Sequence, residues 1–276
     1  MTLLLQSKPK EHISWEYLLF KEVSSREELL EHFALRYHVF TYHGYLEENL
    51  DELDIDPYDF WSRFLVCYTC GPDGKKLAGA VRVVMADEPS PLVAEIRDLV
   101  ESAKDPRLRF MGKRRTTFPS EQAFPEMSEI IEDHARRNKR LAEGSRTARL
   151  PELRDSLLSQ GLVLGSLGLA MQRGAVGGVG SSSERLAGLY KECGCQVLAG
   201  IPRKIYPKIN VLSVPLFFEF EKMTGQSIIY TRLFKESLEK QGSFCLCKDQ
   251  ECLNKGGYLS PSPYHLCPRM LNLSRH

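Results

Sequence analysis

Residues 62–85 read SRFLVCYTCGPDGKKLAGAVRVVM. The runs from Ser62 to Tyr68 and from Lys76 to Met85 are mostly apolar and contain residue types that favour strands, so a strand is predicted in each. The residues between them, Gly71-Pro72-Asp73-Gly74, favour a tight turn. This stretch therefore predicts a β-hairpin.

Arg82 lies in the second predicted strand of this hairpin, on the face that carries Ala78, Ala80 and Val84. A charged side chain among small residues indicates space for a ligand, so we expect the hairpin to form part of a binding site.

A helix is predicted before the hairpin, from about Arg26 to Phe40. Ser24 and Ser25, each followed three residues later by a glutamate, are capping-box signals at its start. Its apolar residues recur at spacings of three and four and line one face, namely Leu29, Leu30, Phe33, Tyr37 and Phe40. Arg36 is expected at the edge of this buried face.

The chain after the hairpin alternates between helices and strands. Residues 87–141 form a weakly periodic excursion with five prolines, in which one helix is predicted near Glu126 to Arg140. The elements predicted beyond it are a return to the sheet around Glu143, a helix at Leu153 to Met171, a strand at Ala175 to Val179, a helix at Glu184 to Glu192 and a strand at Gln196 to Leu198. Such alternation is typical of a layered α/β fold.

Composition limits the class of protein. Among 276 residues, 42% are hydrophobic, 26% are charged and the formal net charge is +1, which excludes wholesale disorder and a strongly basic nucleic-acid-binding protein. Lys8 and Lys10 interrupt the apolar start, and the apolar stretch Gly161 to Met171 is too short to span a bilayer. We therefore expect a cytoplasmic protein without stable membrane insertion, whose eight cysteines are thiols or metal ligands.

Four short motifs occur in a recognisable order: Arg36-x-x-x-Phe40, Asp54-x-Asp56-x-x-Asp59, Gly79-Ala80-Val81-Arg82 and Glu143-Gly144-Ser145-Arg146. Their order and context resemble the acyl-homoserine lactone synthases and, more closely, the bacterial long-chain N-acyl amino acid synthases of the PEP-CTERM/exosortase-associated type. Both groups have the GNAT fold and are autoinducer-synthase-like. The resemblance covers about residues 15 to 215.

The resemblance implies a GNAT-like acyl-CoA N-acyltransferase fold of the α/β (α+β layered) class, with a central mixed, V-splayed sheet flanked by helices. We place this domain at residues 1–240, including the excursion 87–141, and a Cys-containing tail at residues 241–276.

Two positions depart from the lactone synthases. The tryptophan that usually follows the motif phenylalanine is absent, with Tyr42, Tyr45 and Leu46 in that region, and Gly144 replaces a bulkier residue. The missing tryptophan argues against S-adenosylmethionine as the acceptor. The long excursion and the extra C-terminal length further favour an N-acyl amino acid synthase, which would transfer a long-chain acyl group from acyl carrier protein (or acyl-CoA) to an amino acid. The alternatives are a lactone synthase that uses S-adenosylmethionine and a non-catalytic GNAT-like module that binds acyl groups or partners.

The family resemblance places Glu143 in the cleft, where it is the candidate catalytic base. An amino acid's α-amine is largely protonated near pH 7 and must lose a proton before it attacks a thioester. A partly desolvated carboxylate can accept that proton because burial raises its pKa. The alternative is a structural ion pair with Arg82 or Arg146.

The same resemblance implies a charge network that shapes the acceptor pocket, with Asp56 as the direct contact of the ammonium group. Its members are Arg36, Phe40, Asp54, Asp56, Asp59, Arg82, Ser145 and Arg146. Alternatively, the aspartates only cap and bridge their loop.

Two basic runs in the excursion are candidates for binding an acidic carrier protein. They contain Lys113, Arg114, Arg115, Arg136, Arg137, Lys139 and Arg140. Solvated helix charges are the alternative. A phosphate cradle for coenzyme A at Gly177-Gly178-Val179-Gly180 is a weaker pattern, so we favour the carrier protein.

A group of cysteines marks the C-terminal end, namely Cys245, Cys247, Cys252 and Cys267, with His265 among them. Four such ligands could bind zinc, although the spacing is not that of a paired zinc knuckle. We favour reduced thiols, and we predict no resident cofactor and no metal.

Overall fold

The computed structural model describes residues 16–109, 114–153, 156–206, 210–247 and 265–266. Its centre is a single mixed sheet in the order β10-β9-β1-β2-β3-β4-β5-β8-β6, with β7 also paired to β8. The strands are β1 (Tyr17–Glu22), β2 (Ser62–Gly71), β3 (Gly74–Met85), β4 (Leu141–Arg149), β5 (Gly177–Ser183), β6 (Gln196–Val197), β7 (Lys204–Tyr206), β8 (Val211–Glu219), β9 (Ser243–Cys247) and β10 (His265–Leu266).

Helices cover both faces of this sheet. They are α1 (Arg26–Tyr42), α2 (Val93–Ser102), α3 (Met127–Arg136), α4 (Ser156–Gln172), α5 (Ala187–Glu192) and α6 (Gly225–Gln241). Side chains of α4 and α6 bury one face of the sheet, and those of α1 and α2 bury the other. Within the described residues, no helix has both the length and the apolar character needed to cross a bilayer.

The predicted first helix is confirmed. Ser25 is its N-cap and accepts a hydrogen bond from the Glu28 backbone N–H at 3.3 Å, while the Glu28 carboxylate accepts one from the Ser24 N–H at 3.1 Å. These bonds satisfy donors that a helix start leaves unpaired. Leu29 and Phe33 lie on its buried face, and Arg36 is buried among them.

The predicted hairpin is also confirmed. β2 and β3 pair in antiparallel register from Ser62–Val84 to Gly71–Gly74, with a bulge at Cys67 and Tyr68. Gly74 closes the turn with a φ of +94°, a conformation that favours glycine. The hairpin lies at the centre of the sheet and carries Arg82 to the α1 side.

The sheet splays between β4 and β5. These two strands are parallel, and they pair only at their first three residues, from Leu141–Gly177 to Glu143–Val179. Beyond this point β4 continues to Arg149 and β5 to Ser183 without pairing to each other. The expected mixed, V-splayed GNAT-like sheet is therefore confirmed, and the V opens directly after Glu143.

Glycines on α4 allow unusually close packing. A Cβ atom at Gly161 would lie 2.3 Å from Phe20 Cζ, and one at Gly168 would lie 3.0 Å from the Lys235 backbone nitrogen of α6. Phe20 and Phe234 both stack on Phe244 of β9, with ring centroids 4.6 and 3.9 Å apart. The helix, the sheet and α6 therefore meet without room for side chains at these positions.

Replacing Gly168 with leucine should destabilise the fold by about 3 kcal/mol, because the new side chain overlaps the α6 backbone and cannot be accommodated by a rotamer change. Urea unfolding measures this loss. The matched control is Gly188→Ala in α5, where an added Cβ meets no atom within 4 Å, so its unfolding midpoint should be unchanged or slightly raised. Equal midpoints for the two variants would contradict this account.

Parts of the predicted order need correction. The excursion contains two helices, since α2 precedes the predicted α3, and Ile96, Leu99 and Val100 of α2 are buried against the α1 side. The predicted strand at Ala175 begins later, at Gly177, and the helix predicted from Glu184 is a 3-10 turn followed by the short α5.

The tail prediction also differs from the structure at residues 243–247. These residues form β9, which pairs with β1 and places Phe244 in the core. The physical reason is that β1 would otherwise present an unpaired edge and an uncovered Phe20.

Candidate active site

The predicted charge network forms around Arg36. This guanidinium is fully buried, and its Nε donates to Asp54 Oδ2 at 2.9 Å while Nη1 donates to Asp59 Oδ1 at 2.8 Å. A buried cation is stable only when it is paired and hydrogen-bonded, and both conditions are met here. The structure thus brings the first and second motifs together.

Arg82 joins the third motif to the same carboxylates. Its side chain is 1% exposed, and its Nη1 donates to Asp56 Oδ1 at 2.5 Å and to Asp59 Oδ1 at 3.0 Å. Its Nε donates to Ser145 Oγ at 3.1 Å, because Arg82 and Ser145 are cross-strand partners of β3 and β4. Asp59 therefore bridges two buried arginines.

The acidic motif has a local reason for its shape. Asp56 is the N-cap of a 3-10 turn (Pro57–Trp61) and accepts from the Tyr58 N–H at 2.9 Å, while Asp59 Oδ2 accepts from the Asp56 N–H at 2.7 Å. This reciprocal capping box aims both carboxylates at Arg82. The aspartates therefore cap their loop as well as pair with arginines, so the two interpretations offered by the sequence both apply.

Arg146 completes the network at a β-bulge. Between the partners Arg82–Ser145 and Ala80–Ala148, β4 contains one residue more than β3, and Arg146 adopts a φ of +53°. Its guanidinium lies 5.2 Å above the Phe40 ring, 3.5 Å from Asp54 and 3.4 Å from Asp56. At 16% side-chain exposure it is the most accessible cation of the network.

A cavity of about 300 Å³ lies in the V between β4 and β5. Five of the predicted network residues line it, namely Phe40, Asp56, Arg82, Ser145 and Arg146, and Glu143 lines it as well. Arg36, Asp54 and Asp59 do not reach it. We conclude that these three residues hold the network in place through hydrogen bonds without contacting the cavity, whereas Asp56 and Arg146 face it.

Glu143 is buried at 2% exposure beside this network, but it forms no ion pair with Arg82 or Arg146 among the described residues. Its Oε2 accepts two hydrogen bonds from Ser120, one from the backbone N–H at 3.0 Å and one from Oγ at 2.7 Å. Burial raises its pKa to about 7, although the Ser120 hydrogen bonds and the nearby Arg82 oppose the rise.

Asp56 behaves in the opposite way. Burial again opposes ionisation, but Arg82, Arg146 and Arg36 outweigh it and hold the pKa of Asp56 well below its usual range. The cavity therefore contains one carboxylate that stays charged and one that exchanges a proton near neutral pH. Such a separation is suited to holding a cation and accepting a proton from it.

Several residues that line the cavity, and Ser120, which contacts Glu143 beside it, were missed by the sequence prediction. Ser120 lies in a 3-10 turn of the excursion (Pro119–Gln122), and Tyr206 of β7 donates its hydroxyl hydrogen bond to the Pro119 carbonyl at 3.0 Å. Gln122 Nε2 donates to the Tyr58 hydroxyl at 2.7 Å. Of these residues, only Tyr58 could have been identified from the sequence, because it lies between two aspartates of the acidic motif. The other residues lie in segments that show no recognisable pattern.

Close packing explains why a glycine occupies position 144. A Cβ at this position would lie 3.1 Å from Ser166 Oγ of α4, and Ser166 itself donates to the Val163 carbonyl at 2.7 Å. The glycine therefore permits close contact between β4 and α4.

The basic runs are largely occupied by contacts within the chain. Arg114 donates to the Met85 carbonyl at 3.1 Å and lies 4.2 Å from the Trp61 ring, and Arg140 pairs with Asp87 at 2.8 Å. Arg136 and Arg137 pair with Asp133 of their own helix at 3.5 and 2.9 Å. Arg115 and Lys139 are exposed, and Lys113 lies outside the described residues.

The cysteine prediction is only partly within the structure. Cys245 is buried in β9, and Cys252 and Cys267 lie outside the described residues. Across the part of the chain that is described, no group of His, Cys, Asp or Glu side chains is arranged to hold a metal ion.

One protein family and several solved structures are similar to this chain. Residues 35–163 match the family described as "Acetyltransferase (GNAT) domain", which confirms the GNAT family predicted from the motifs. No curated protein matches the chain in sequence.

The solved structures similar to this chain include three synthases. The AHL synthase LasI is 17% identical, with a TM-score of 0.48 over 79% of this chain and 95% of LasI. FeeM, an N-acyl amino acid synthase from uncultured soil microbes, is 11% identical, with a TM-score of 0.45 over 77% of this chain and 97% of FeeM. The CoA-dependent acyl-homoserine lactone synthase BjaI is 14% identical, with a TM-score of 0.49 over 79% of this chain and 90% of BjaI.

Proposed function

This chain carries a GNAT acyltransferase domain at residues 35–163, and on that premise we propose that it transfers a long-chain acyl group from acyl carrier protein, or from acyl-CoA, to the amino group of an amino acid. The product would be an N-acyl amino acid. The observation that carries the proposal is that one cavity is lined by Glu143, whose pKa burial raises to about 7, and by Asp56, whose pKa the neighbouring arginines hold below its usual range.

The proposed reaction begins with a protonated amine. Asp56 holds the ammonium group by charge, and Glu143 accepts one proton from it, directly or through a water molecule. The neutral nitrogen then attacks the thioester carbonyl, the new C–N bond forms and the C–S bond breaks. The attacking nitrogen loses its second proton as the amide forms, and the sulfur leaves as a thiolate that takes up this proton to give the thiol.

Arg146 is the residue that we propose for the acceptor's carboxylate. Its contacts with Asp54 and Asp56 are long, at 3.5 and 3.4 Å, and its guanidinium borders the cavity. A fork of N–H donors suits a carboxylate, and an amino acid presents its ammonium and carboxylate groups on neighbouring atoms. Asp56 and Arg146 therefore form a complementary pair for such an acceptor.

The acyl donor and the cellular location are also part of the proposal. We retain acyl carrier protein as the partner, with the exposed Arg115 and Lys139 as the cations available to it. The protein is proposed to act in the bacterial cytoplasm, where acyl carrier protein is found, and its product would be a lipid signal of the kind used in quorum sensing. We propose no resident cofactor, and zinc at the cysteine-bearing end remains a lesser alternative.

Mass spectrometry of lipid extracts from cells that express the protein tests the proposal. The expected result is a new acylated amino acid that is absent from cells expressing Glu143→Gln. An acylated homoserine lactone together with methylthioadenosine would select the lactone synthase instead. If no new lipid forms, and purified protein transfers no acyl group in vitro, the acyltransferase assignment to this site is wrong.

A further inference from the structure

Both hydrogen bonds that Glu143 accepts come from one residue and reach one oxygen. Ser120 donates its backbone N–H and its hydroxyl to Oε2, at 3.0 and 2.7 Å, and Ser120 itself is fully buried. Oε1 accepts no hydrogen bond from the described residues, yet it is not among their fully buried unpaired atoms. Since Glu143 lines the cavity, Oε1 is the oxygen left open to a substrate.

We propose that Ser120 is a positioning residue for the acyl-transfer reaction, which holds Glu143 by Oε2 so that Oε1 faces the amine. This inference rests on the proposed function. It assigns a role to the excursion, because the position of Ser120 depends on the 3-10 turn Pro119–Gln122.

Three hydrogen bonds hold the turn in place. Tyr206 donates to the Pro119 carbonyl at 3.0 Å, Gln122 donates to Tyr58 at 2.7 Å, and Glu121 accepts from the Phe118 N–H at 2.6 Å. Each hydrogen bond connects the turn to a different segment, namely β7, the acidic motif and the residue that precedes the turn. A serine presented by such a turn has little freedom to move, which is what orientation of a base requires.

Other groups act on Glu143 from the elements packed around it, and they do not replace Ser120. Arg82 of β3 favours the carboxylate form, and Glu121 of the turn disfavours it. The side chains of Tyr190 on α5 and Tyr206 on β7 also face it, as do Asp56 and Arg146 across the cavity. Among the described residues, Ser120 alone donates a hydrogen bond to the carboxylate.

The test compares Ser120→Ala with Ser102→Ala. Both variants remove one serine hydroxyl from the excursion, but Ser102 donates only to carbonyls of its own helix and lies away from the cavity. The kcat/KM of each variant is measured from pH 5.5 to pH 9.5, with hexadecanoyl-acyl carrier protein or hexadecanoyl-CoA as the donor and a mixture of amino acids as the acceptor. In parallel, NMR titration of ¹³C-labelled glutamate carboxyls gives the pKa of Glu143 without any substrate.

We expect Ser120→Ala to raise the pKa of Glu143 by about one unit, since a donor to the charged form is lost. The kcat/KM should fall at every pH, because Oε1 is no longer held toward the amine, and the raised pKa should make the loss about tenfold larger at pH 6 than at pH 9, with neither effect for Ser102→Ala. A kcat/KM at pH 9 equal to that of the unaltered protein, or an unmoved pKa, would overturn the positioning role. Absence of turnover in the unaltered protein would instead refute the proposed function, and the NMR titration would still decide whether Ser120 controls Glu143.

Discussion

The Glu143→Gln variant is expected to lose about 10³-fold in kcat/KM while keeping its fold. Glutamine has nearly the same shape, and its carbonyl oxygen can still accept both hydrogen bonds from Ser120. What it lacks is the ability to take a proton. The unaltered protein should gain activity as pH rises through about 7, where Glu143 ionises, and the residual activity of the variant should lack that dependence.

Stability gives a second measurement on the same variant. The pKa of Glu143 is raised from 4.5 in the unfolded chain to about 7 in the folded one, so the folded state binds the proton more tightly. Its contribution to folding is therefore fully present below about pH 4.5 and declines until about pH 7, by about 3 kcal/mol. The glutamine variant should lack this decline. An active Glu143→Gln variant with the same pH profile would show that Glu143 is not the base.

The second large effect is expected at Asp59. Replacing it with leucine should destabilise the protein by about 3–5 kcal/mol, because Asp59 is fully buried and bridges Arg36 and Arg82. Its loss leaves two buried cations short of a carboxylate and also removes the acceptor of the Asp56 N–H. Thermal and urea unfolding measure the change.

The control for Asp59 is an exposed ion pair. Asp133→Asn removes the partner of Arg136 and Arg137 on the surface of α3, where a pair contributes less than about 1 kcal/mol. Similar small losses for Asp59→Leu and Asp133→Asn would mean that the buried network is not a source of stability.

Acid should weaken the network as well, since the pKa values of Asp54 and Asp56 are lowered and the stability they give disappears as pH falls below about 4.

The parts of the fold that follow from local patterns were predictable. The three- and four-residue spacing after Ser25 indicated α1, and the two strand-like runs on either side of Gly71-Pro72-Asp73-Gly74 indicated the central hairpin. The convergence of the four motifs came from resemblance rather than from spacing, because Arg36 and Glu143 are 107 positions apart. The helix α2 was overlooked although Ile96, Leu99 and Val100 have helical spacing, since the prolines around it favoured a loop.

Contacts that depend on the folded arrangement could not be predicted. Nothing near Ser120 indicates that its N–H and hydroxyl meet a carboxylate 23 residues later. For the two basic runs, the sequence instead predicted a binding surface whose cations are largely paired within the chain. The sequence shows where cations are clustered but not which groups they contact after folding. In the structure, Arg114 and Arg140 contact backbone carbonyls and carboxylates at residues 85–88.

The short pairing of β4 with β5 has a consequence for how this enzyme could diverge. Past Glu143 and Val179, peptide groups that would normally join the two strands are left available to whatever enters between them. Hydrogen bonds from peptide groups survive replacement of the side chains around them. Relatives could therefore exchange nearly every residue along these two walls, change the molecule that is bound, and still retain the same set of main-chain donors.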